Sequence, residues 1–286
     1  MTERYLLSYS TKGFYNRHDE LNQSAKKFGI KNHINFYDRD LFKTEFYIKN
    51  KIVLDNPKGA GFWLWKPYYI NEALKQINDG DLLFYVDAAS VFIDDPEAIF
   101  KIAGENEKGM ILFDTRPLTN RQFCRRDAFI NLGCDTEKYW NAWHVIATMF
   151  VIKKTAFAVS FISEWLEACQ NPFSIVNNNN SEDFKTNNLE LPGFIDHRSD
   201  QSILSILVAK YNLETYRNPS IWGNYLKMKA FRKENEFAGY PFHLEDSITG
   251  YSDTAMENSP YGTIFRINRG RDVEKKFHTI FKLLKR

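Results

Sequence analysis

Asp81-Leu82-Leu83-Phe84-Tyr85-Val86-Asp87 is a near-continuous apolar run bounded by carboxylates. Such a run leaves no polar face, which is the pattern of a central strand covered on both sides. Just upstream, Asn78-Asp79-Gly80 stops a helix that Pro67 opens, in which Tyr69, Ile70, Ala73, Leu74 and Ile77 recur at helical spacing. Further out, Tyr5-Leu6-Leu7-Ser8-Tyr9-Ser10 reads as a first strand, Asp19 to Phe28 as a helix, and Ile34 to Tyr37 as a second strand. Downstream, strands are expected at 109–114 and 145–152, with helices at 97–103 and 154–170. Phe157, Phe161, Trp165 and Ala168 share one face of the last. A further helix starts at Ser199, an N-cap residue by type, and runs to about Tyr211. This alternation predicts an α/β, Rossmann-like single domain over residues 1–263, its mostly parallel central sheet flanked by helices. Ligands of such sheets sit at the carboxyl ends of strands, here Ser8-Tyr9, Asp87 and Asp114.

The 286 residues carry 38 Lys+Arg against 36 Asp+Glu, a net charge of +2, which gives no overall footprint for nucleic acid. With 43% hydrophobic residues, the chain is not a disordered one. Cys124, Cys134 and Cys169 lack CxxC spacing, so they read as small apolar packers in a reducing compartment. No signal peptide or membrane-spanning run is visible, and the expected location is cytoplasmic. Charge is unevenly spread. Residues 264–286 hold +6 and the remainder −4, and Val273, Phe277, Ile280, Phe281 and Leu284 fall at helical spacing. A basic amphipathic C-terminal helix is expected there, suited either to an anionic membrane surface or to packing on the core. Aromatic residues make up 16%, with 24 Phe, 15 Tyr and 6 Trp. Most Phe fall at core periodicities, so the informative rings are Tyr9, Trp63, Trp65, Trp140, Trp143 and Trp222.

Three segments could carry chemistry. Asp87, at a strand tip, suits either a cation or sugar hydroxyl, or a turn; Ala89 stands where a second carboxylate would complete an Asp-x-Asp pair. Gly59-Ala60-Gly61-Phe62-Trp63-Leu64-Trp65-Lys66-Pro67 overlaps the stretch Asn56 to Gly61, whose Pro57, Gly59 and Gly61 mark a mobile loop. Lys66 there is either an anion-binding cation at a helix start or a solvated end beside core tryptophans. His197-Arg198-Ser199-Asp200-Gln201-Ser202 opens the last helix, either to contact a polyhydroxylated ligand or only to cap. The stretch 171–196 before it, with Asn177 to Asn180, reads as a lid loop. A nucleotidyl or phosphosugar transferase would need a Gly-rich phosphate loop after the first strand, and Ser10-Thr11-Lys12-Gly13 does not supply one.

Together, Phe62 to Pro67, Asn78 to Ala88 and His197 to Ser202 resemble a family of bacterial glycosyltransferases of capsule and lipopolysaccharide (O-antigen) biosynthesis. Arg125 to Phe129, Gly133-Cys134-Asp135 and Glu164-Trp165-Leu166 between them fit the same pattern, and the resemblance spans about residues 5 to 225. It implies a GT-A fold that binds a nucleotide sugar, UDP-galactose or UDP-glucose by type, and passes the hexosyl group to a lipid-linked glycan acceptor. In such a site Ser8 and Tyr9 hold the base, with Tyr9 stacking on uracil, while Trp65 and Lys66 reach the diphosphate. Asp87 touches ribose, donor sugar or metal, and Arg126 and Asp127 touch the donor sugar. His197 contacts phosphate or metal, and Arg198 is a cation able to stand in for one. Asp200 and Gln201 lie beside the anomeric carbon, an element that leans toward retention; in an inverting enzyme Asp200 would be the base. Mn²⁺ or Mg²⁺ is the implied cofactor, although Ala89 removes one ligand. The alternative is a non-catalytic carbohydrate-binding scaffold of the same fold.

Overall fold

The computed structural model describes residues 2–177, 182–220 and 257–267. Among the described residues nine strands form: Arg4–Ser10 (β1), Asn32–Tyr37 (β2), Leu82–Val86 (β3), Ser90–Phe92 (β4), Met110–Thr119 (β5), Trp143–Val145 (β6), Met149–Lys153 (β7), Thr215–Tyr216 (β8) and Phe265–Ile267 (β9). Seven build one sheet in the order β2-β1-β3-β7-β5-β6, with β8 alongside β5, and β4 pairs with β9 apart from it. The expected central run is β3, buried at every residue.

The period-two alternation sorts side chains onto two faces. Leu7, Tyr9, Leu83, Tyr85, Phe150 and Ile152 face the helices Trp65–Leu74, Ala156–Cys169 and Asp200–Lys210. Leu6, Phe84, Val86, Ile111 and Val151 face the helices Tyr15–Lys27 and Glu97–Glu105. The α/β architecture, one sheet flanked by helices, is therefore as expected. All three cysteines are buried and free, packing as small apolar groups.

Five expectations need correction. The sheet is mixed: β1 pairs parallel with β2 and β3, and β5 with β8, but β7 runs antiparallel to β3 and β5, as β6 does to β5. The chain leaves β5 at its carboxyl end and returns from that same end through short helices, so it must run back along β5. The single strand expected over 145–152 is broken at 146–148, and this break reaches the site.

The stretch read as a mobile loop is instead a packed left-handed turn. Gly59, Ala60, Gly61, Phe62 and Trp63 have φ of 60°, 49°, 95°, 53° and 59°. Gly61 is required there, since a Cβ would lie 2.6 Å from Leu54 Cα. Ala60, Phe62 and Trp63 hold the same region at about 1–2 kcal/mol each, offset by burial of Phe62 and Leu64.

The long segment after Asn171 contains a helix, Pro172–Ile175, and a 3-10 turn, Glu182–Phe184. Its described parts are tied down rather than free. Finally, Phe265–Ile267 is a strand and not the start of a helix, because Phe265 is fully buried, 5.4 Å from Phe84 and 4.4 Å from Phe92 by ring centroid. The remainder of the basic tail, 268–286, and Trp222 lie outside the described residues.

Candidate functional site

Three distant positions meet at the carboxyl end of β3. Asp87 follows the strand, Lys66 sits in the first turn of the Trp65–Leu74 helix, and Asp200 opens the Asp200–Lys210 helix. Lys66 Nζ donates to the Ala147 carbonyl at 2.9 Å and lies 3.0 Å from Asp200 Oδ2 and 3.6 Å from Asp87 Oδ1. The Lys66 and Asp200 side chains are each 3% exposed, whereas Asp87 is 31% exposed. Asp87 is thus the open member of a buried charge cluster.

Each member is held by backbone or by a buried ring. The Tyr85 hydroxyl donates to Asp87 Oδ1 at 2.6 Å, and Asp87 N–H donates to the Thr148 carbonyl at 2.8 Å. Trp165 Nε1 donates to the Asp200 carbonyl at 2.9 Å. The break between β6 and β7 supplies the Ala147 and Thr148 carbonyls, which explains why that run is not a regular strand. Ser199, just before Asp200, adopts φ 51° and ψ −119° with its hydroxyl buried and making no cap bond, so its N-cap role is positional only. Strained residues therefore stand before both Lys66 and Asp200, a concentration characteristic of functional sites.

The electrostatics follow from burial. Burial would lower the Lys66 pKa, but Asp200 and Asp87 outweigh it and hold the ammonium above its ordinary value. Burial pushes Asp200 up to about 6 against the opposing pull of Lys66. Two carboxylates to one ammonium leave the cluster net negative at neutral pH, with that charge facing solvent at Asp87.

Lys66, Asp87 and Asp200 lie together, and Lys66 is turned inward. Its N–H groups point at protein oxygens, where a diphosphate was expected. Trp65 is buried, its Nε1 donating to the Gly59 carbonyl at 3.0 Å. Tyr9 is also buried and stacks on Trp65 at 3.9 Å and on Tyr69 at 5.4 Å, so its ring packs the site floor where base stacking was expected. Ser8 points to the opposite face of β1 and is fully buried, which follows from the strand alternation.

Arg126 and Asp127, expected at the donor sugar, bond to the neighbouring segment in this structure. Asp127 is buried against Arg125 and accepts from Thr186 Oγ1 at 2.8 Å and Asn188 Nδ2 at 2.6 Å. Arg125, fully buried, donates to the Val176 carbonyl at 2.6 Å and the Phe184 carbonyl at 3.3 Å. Arg126 pairs with Asp135 at 3.2 Å, and its N–H donates to Glu190 at 2.8 Å. His197 is fully buried, its Nδ1 accepting from Arg125 N–H at 3.1 Å. Burial and the nearby Arg125 lower its pKa to about 3, which leaves a neutral structural imidazole rather than an exposed phosphate or metal contact. The Arg198 guanidinium lies over the Phe123 ring at 3.8 Å. Gln201 is half-buried in the first turn beside Asp200, with its N–H donating to the Arg198 carbonyl at 3.1 Å.

Among the described residues no three His, Cys, Asp or Glu side chains gather as a metal site. Asp87 alone is an open carboxylate in this cluster, and its Oδ1 already accepts from Tyr85. That donor set does not fit a protein-built Mn²⁺ or Mg²⁺ site, which wants about six oxygens. Tyr85 and Trp165 complete the arrangement. Tyr85 could have been found from its i, i+2 position beside Asp87 on one strand face.

No known family profile matches the sequence, and no curated protein matches it. Solved structures of similar shape are glycosyltransferases. Mouse xyloside xylosyltransferase 1, in its apo form, is 8% identical at a TM-score of 0.46, over 94% of this chain and 98% of that one. The galactosyltransferase LgtC, with donor and acceptor sugar analogues, is 12% identical at 0.44, over 96% and 94%. A glycosyltransferase involved in glycosylation of the major capsid of PBCV-1 is 10% identical at 0.41, over 96% and 99%. At such scores the likeness carries no argument about this chain, and the functional reading rests on its side chains.

Proposed function

We propose that this chain is a GT-A-type glycosyltransferase that moves a hexosyl group from a UDP-sugar, of the galactose or glucose type, to a lipid-linked acceptor in bacterial capsule or O-antigen synthesis. The observation that carries the reading is the buried Lys66 between Asp87 and Asp200 at the carboxyl end of β3, with Asp87 alone opening outward. A fixed, half-open carboxylate at that end of an α/β sheet is placed to accept hydrogen bonds from sugar or ribose hydroxyls.

The fixed groups then have distinct tasks. Tyr85 and Lys66 hold Oδ1 of Asp87, so the carboxylate presents one orientation to the donor. Asp200 is buried and paired, so it is not placed to take a proton from an acceptor hydroxyl. That favours retention, the outcome that needs no strong base at this position. The cytoplasmic face of a plasma membrane is the matching location. Among the described residues no helix is long and apolar enough to cross a membrane.

The test is thermal stabilisation and UDP release with a panel of UDP- and GDP-sugars, with and without Mn²⁺. UDP-hexoses should stabilise the protein and release UDP, and Asp87→Ala should abolish release. An Asp87→Ala variant with full turnover sinks the assignment. Sugar binding without any UDP release would favour the non-catalytic scaffold.

A further inference from the structure

Among the described residues one tryptophan is left exposed. Trp63 and Trp140 are half-buried, Trp65 and Trp165 are buried, and Trp143 is 41% exposed. Its mount is rigid. Trp143 pairs with Thr119 in the β5–β6 ribbon, the Ala142 carbonyl before it accepts from Asn120 N–H at 2.9 Å, and the His144 carbonyl after it accepts from Thr115 Oγ1 at 2.8 Å. Asn120 and His144 are fully buried. An exposed ring on so fixed a backbone is pre-organised for contact.

The ribbon also has the right place. β5 runs parallel to β3 because both pair antiparallel with β7, so the Thr119 end of β5 lies at the same end of the sheet as Asp87. From Trp143 the chain runs through β6 to Ala147, whose carbonyl accepts from Lys66. That path is at most about 14 Å for an extended chain, a span that a short oligosaccharide covers. The Arg116 guanidinium lies over the Trp143 ring, its central carbon 5.5 Å from the centroid. Its Nε donates to buried Asp114 at 2.9 Å, which fixes the fork. Among the described residues the terminal nitrogens of Arg116, whose side chain is 34% exposed, donate no hydrogen bond.

We infer that Trp143 and Arg116 form the acceptor subsite, a platform on which a pyranose ring stacks while the Arg116 fork holds a pair of its oxygens. The inference rests on the glycosyltransferase reading and names the part of the substrate bound on the β5–β6 side of Asp87. The electron-rich indole face attracts the polarised C–H groups of a pyranose. A guanidinium held through Nε presents its remaining N–H groups to vicinal hydroxyls or to a carboxylate. Those two oxygen sources share one chemistry and are separated by the choice of probe.

The test is saturation-transfer NMR on the full chain with methyl β-D-glucopyranoside and methyl β-D-glucuronopyranoside, with UDP thermal stabilisation measured in parallel. Wild type should transfer saturation to the ring protons of at least one probe. W143A should lose that signal, W143F should keep part of it, and W140A should keep it whole. R116K retains the charge facing Asp114 but loses the fork, so it should weaken the probe that wild type prefers. UDP stabilisation should be the same in W143A as in wild type. No signal in wild type, or an unchanged signal in W143A, overturns the subsite. A wild type that UDP does not stabilise overturns the donor reading separately, because the pyranoside signals are read without UDP.

Discussion

Replacing Lys66 by methionine tests the central cluster directly. Methionine keeps much of the side-chain volume and removes the ammonium that lies 3.0 Å from Asp200 and 3.6 Å from Asp87. At an effective dielectric of about 20, the lost attractions are roughly 5.5 and 4.6 kcal/mol before solvation is counted. Desolvation of the ammonium offsets much of this, and removing one partner of a buried pair costs about 3–5 kcal/mol net. The loss should depend on pH. In K66M the Asp200 carboxyl, already raised to about 6 with Lys66 present, rises further and takes up a proton. Protonation removes the buried charge, so the penalty should be full at pH 8 and smaller at pH 5.5. The double variant K66M/D200N should recover most of the stability at pH 8, since no buried charge is left unpaired. Urea unfolding of the three variants at both pH values is the assay. A K66M penalty below about 1 kcal/mol at pH 8, or no recovery in the double variant, refutes the reasoning.

Other outcomes follow from single contacts. D200N cannot titrate, whereas the wild-type folded state binds the Asp200 proton more tightly than the unfolded chain does. Wild-type stability relative to D200N should therefore fall as pH rises from about 4 to 6, by 2–3 kcal/mol from a shift of about 2 units, as read by thermal unfolding across pH. Y85F deletes the hydrogen bond to Asp87 and should cost about 1 kcal/mol of stability while weakening UDP-sugar stabilisation; unaltered sugar affinity would deny Tyr85 a positioning role. R125M releases the Val176 and Phe184 carbonyls and leaves buried Asp127 without its cation, so limited proteolysis should quicken within 182–190, and an unchanged cleavage rate would count against that anchor. G61A places a Cβ 2.6 Å from Leu54 Cα at φ 95° and should lower the melting temperature, and a neutral result would mean that the left-handed turn is not held as described.

The central strand was legible because a fully apolar run closed by Asp87 has few other uses, and β3 lies where that run requires. Lys66 and Asp200 could be picked out because each stands at a helix start, where the chain changes direction and side chains can converge. Periodicity could not tell which way β7 runs, since an antiparallel and a parallel central strand bury the same residues. It also could not see β8 and β9, at two and three residues, whose existence depends on partners far along the chain. The glycines announced a break at 59–61, but nothing local requires Ala60, Phe62 and Trp63 to follow them into left-handed backbone; tertiary burial of Phe62 and Leu64 does.

The site residues divide along the same line. A lysine at a helix start reads as an anion-binding cation or a solvated end, and only the β6–β7 break, which delivers the Ala147 carbonyl, turns its ammonium inward. Burying Lys66 makes its charge unavailable to a phosphate and at the same time makes it able to hold two carboxylates at fixed separation. The net negative charge that results is displayed at Asp87 alone. Hydroxyl groups suit such a surface and a bare diphosphate does not, so the phosphates should lie away from Asp87 with the sugar or ribose between. Asp87→Asn would keep the shape and hydrogen-bonding size while removing that repulsion. It should therefore weaken UDP-sugar binding more than UDP binding where the sugar lies on Asp87, and both equally where the ribose does, whereas tighter binding of both ligands would place the diphosphate against Asp87 instead.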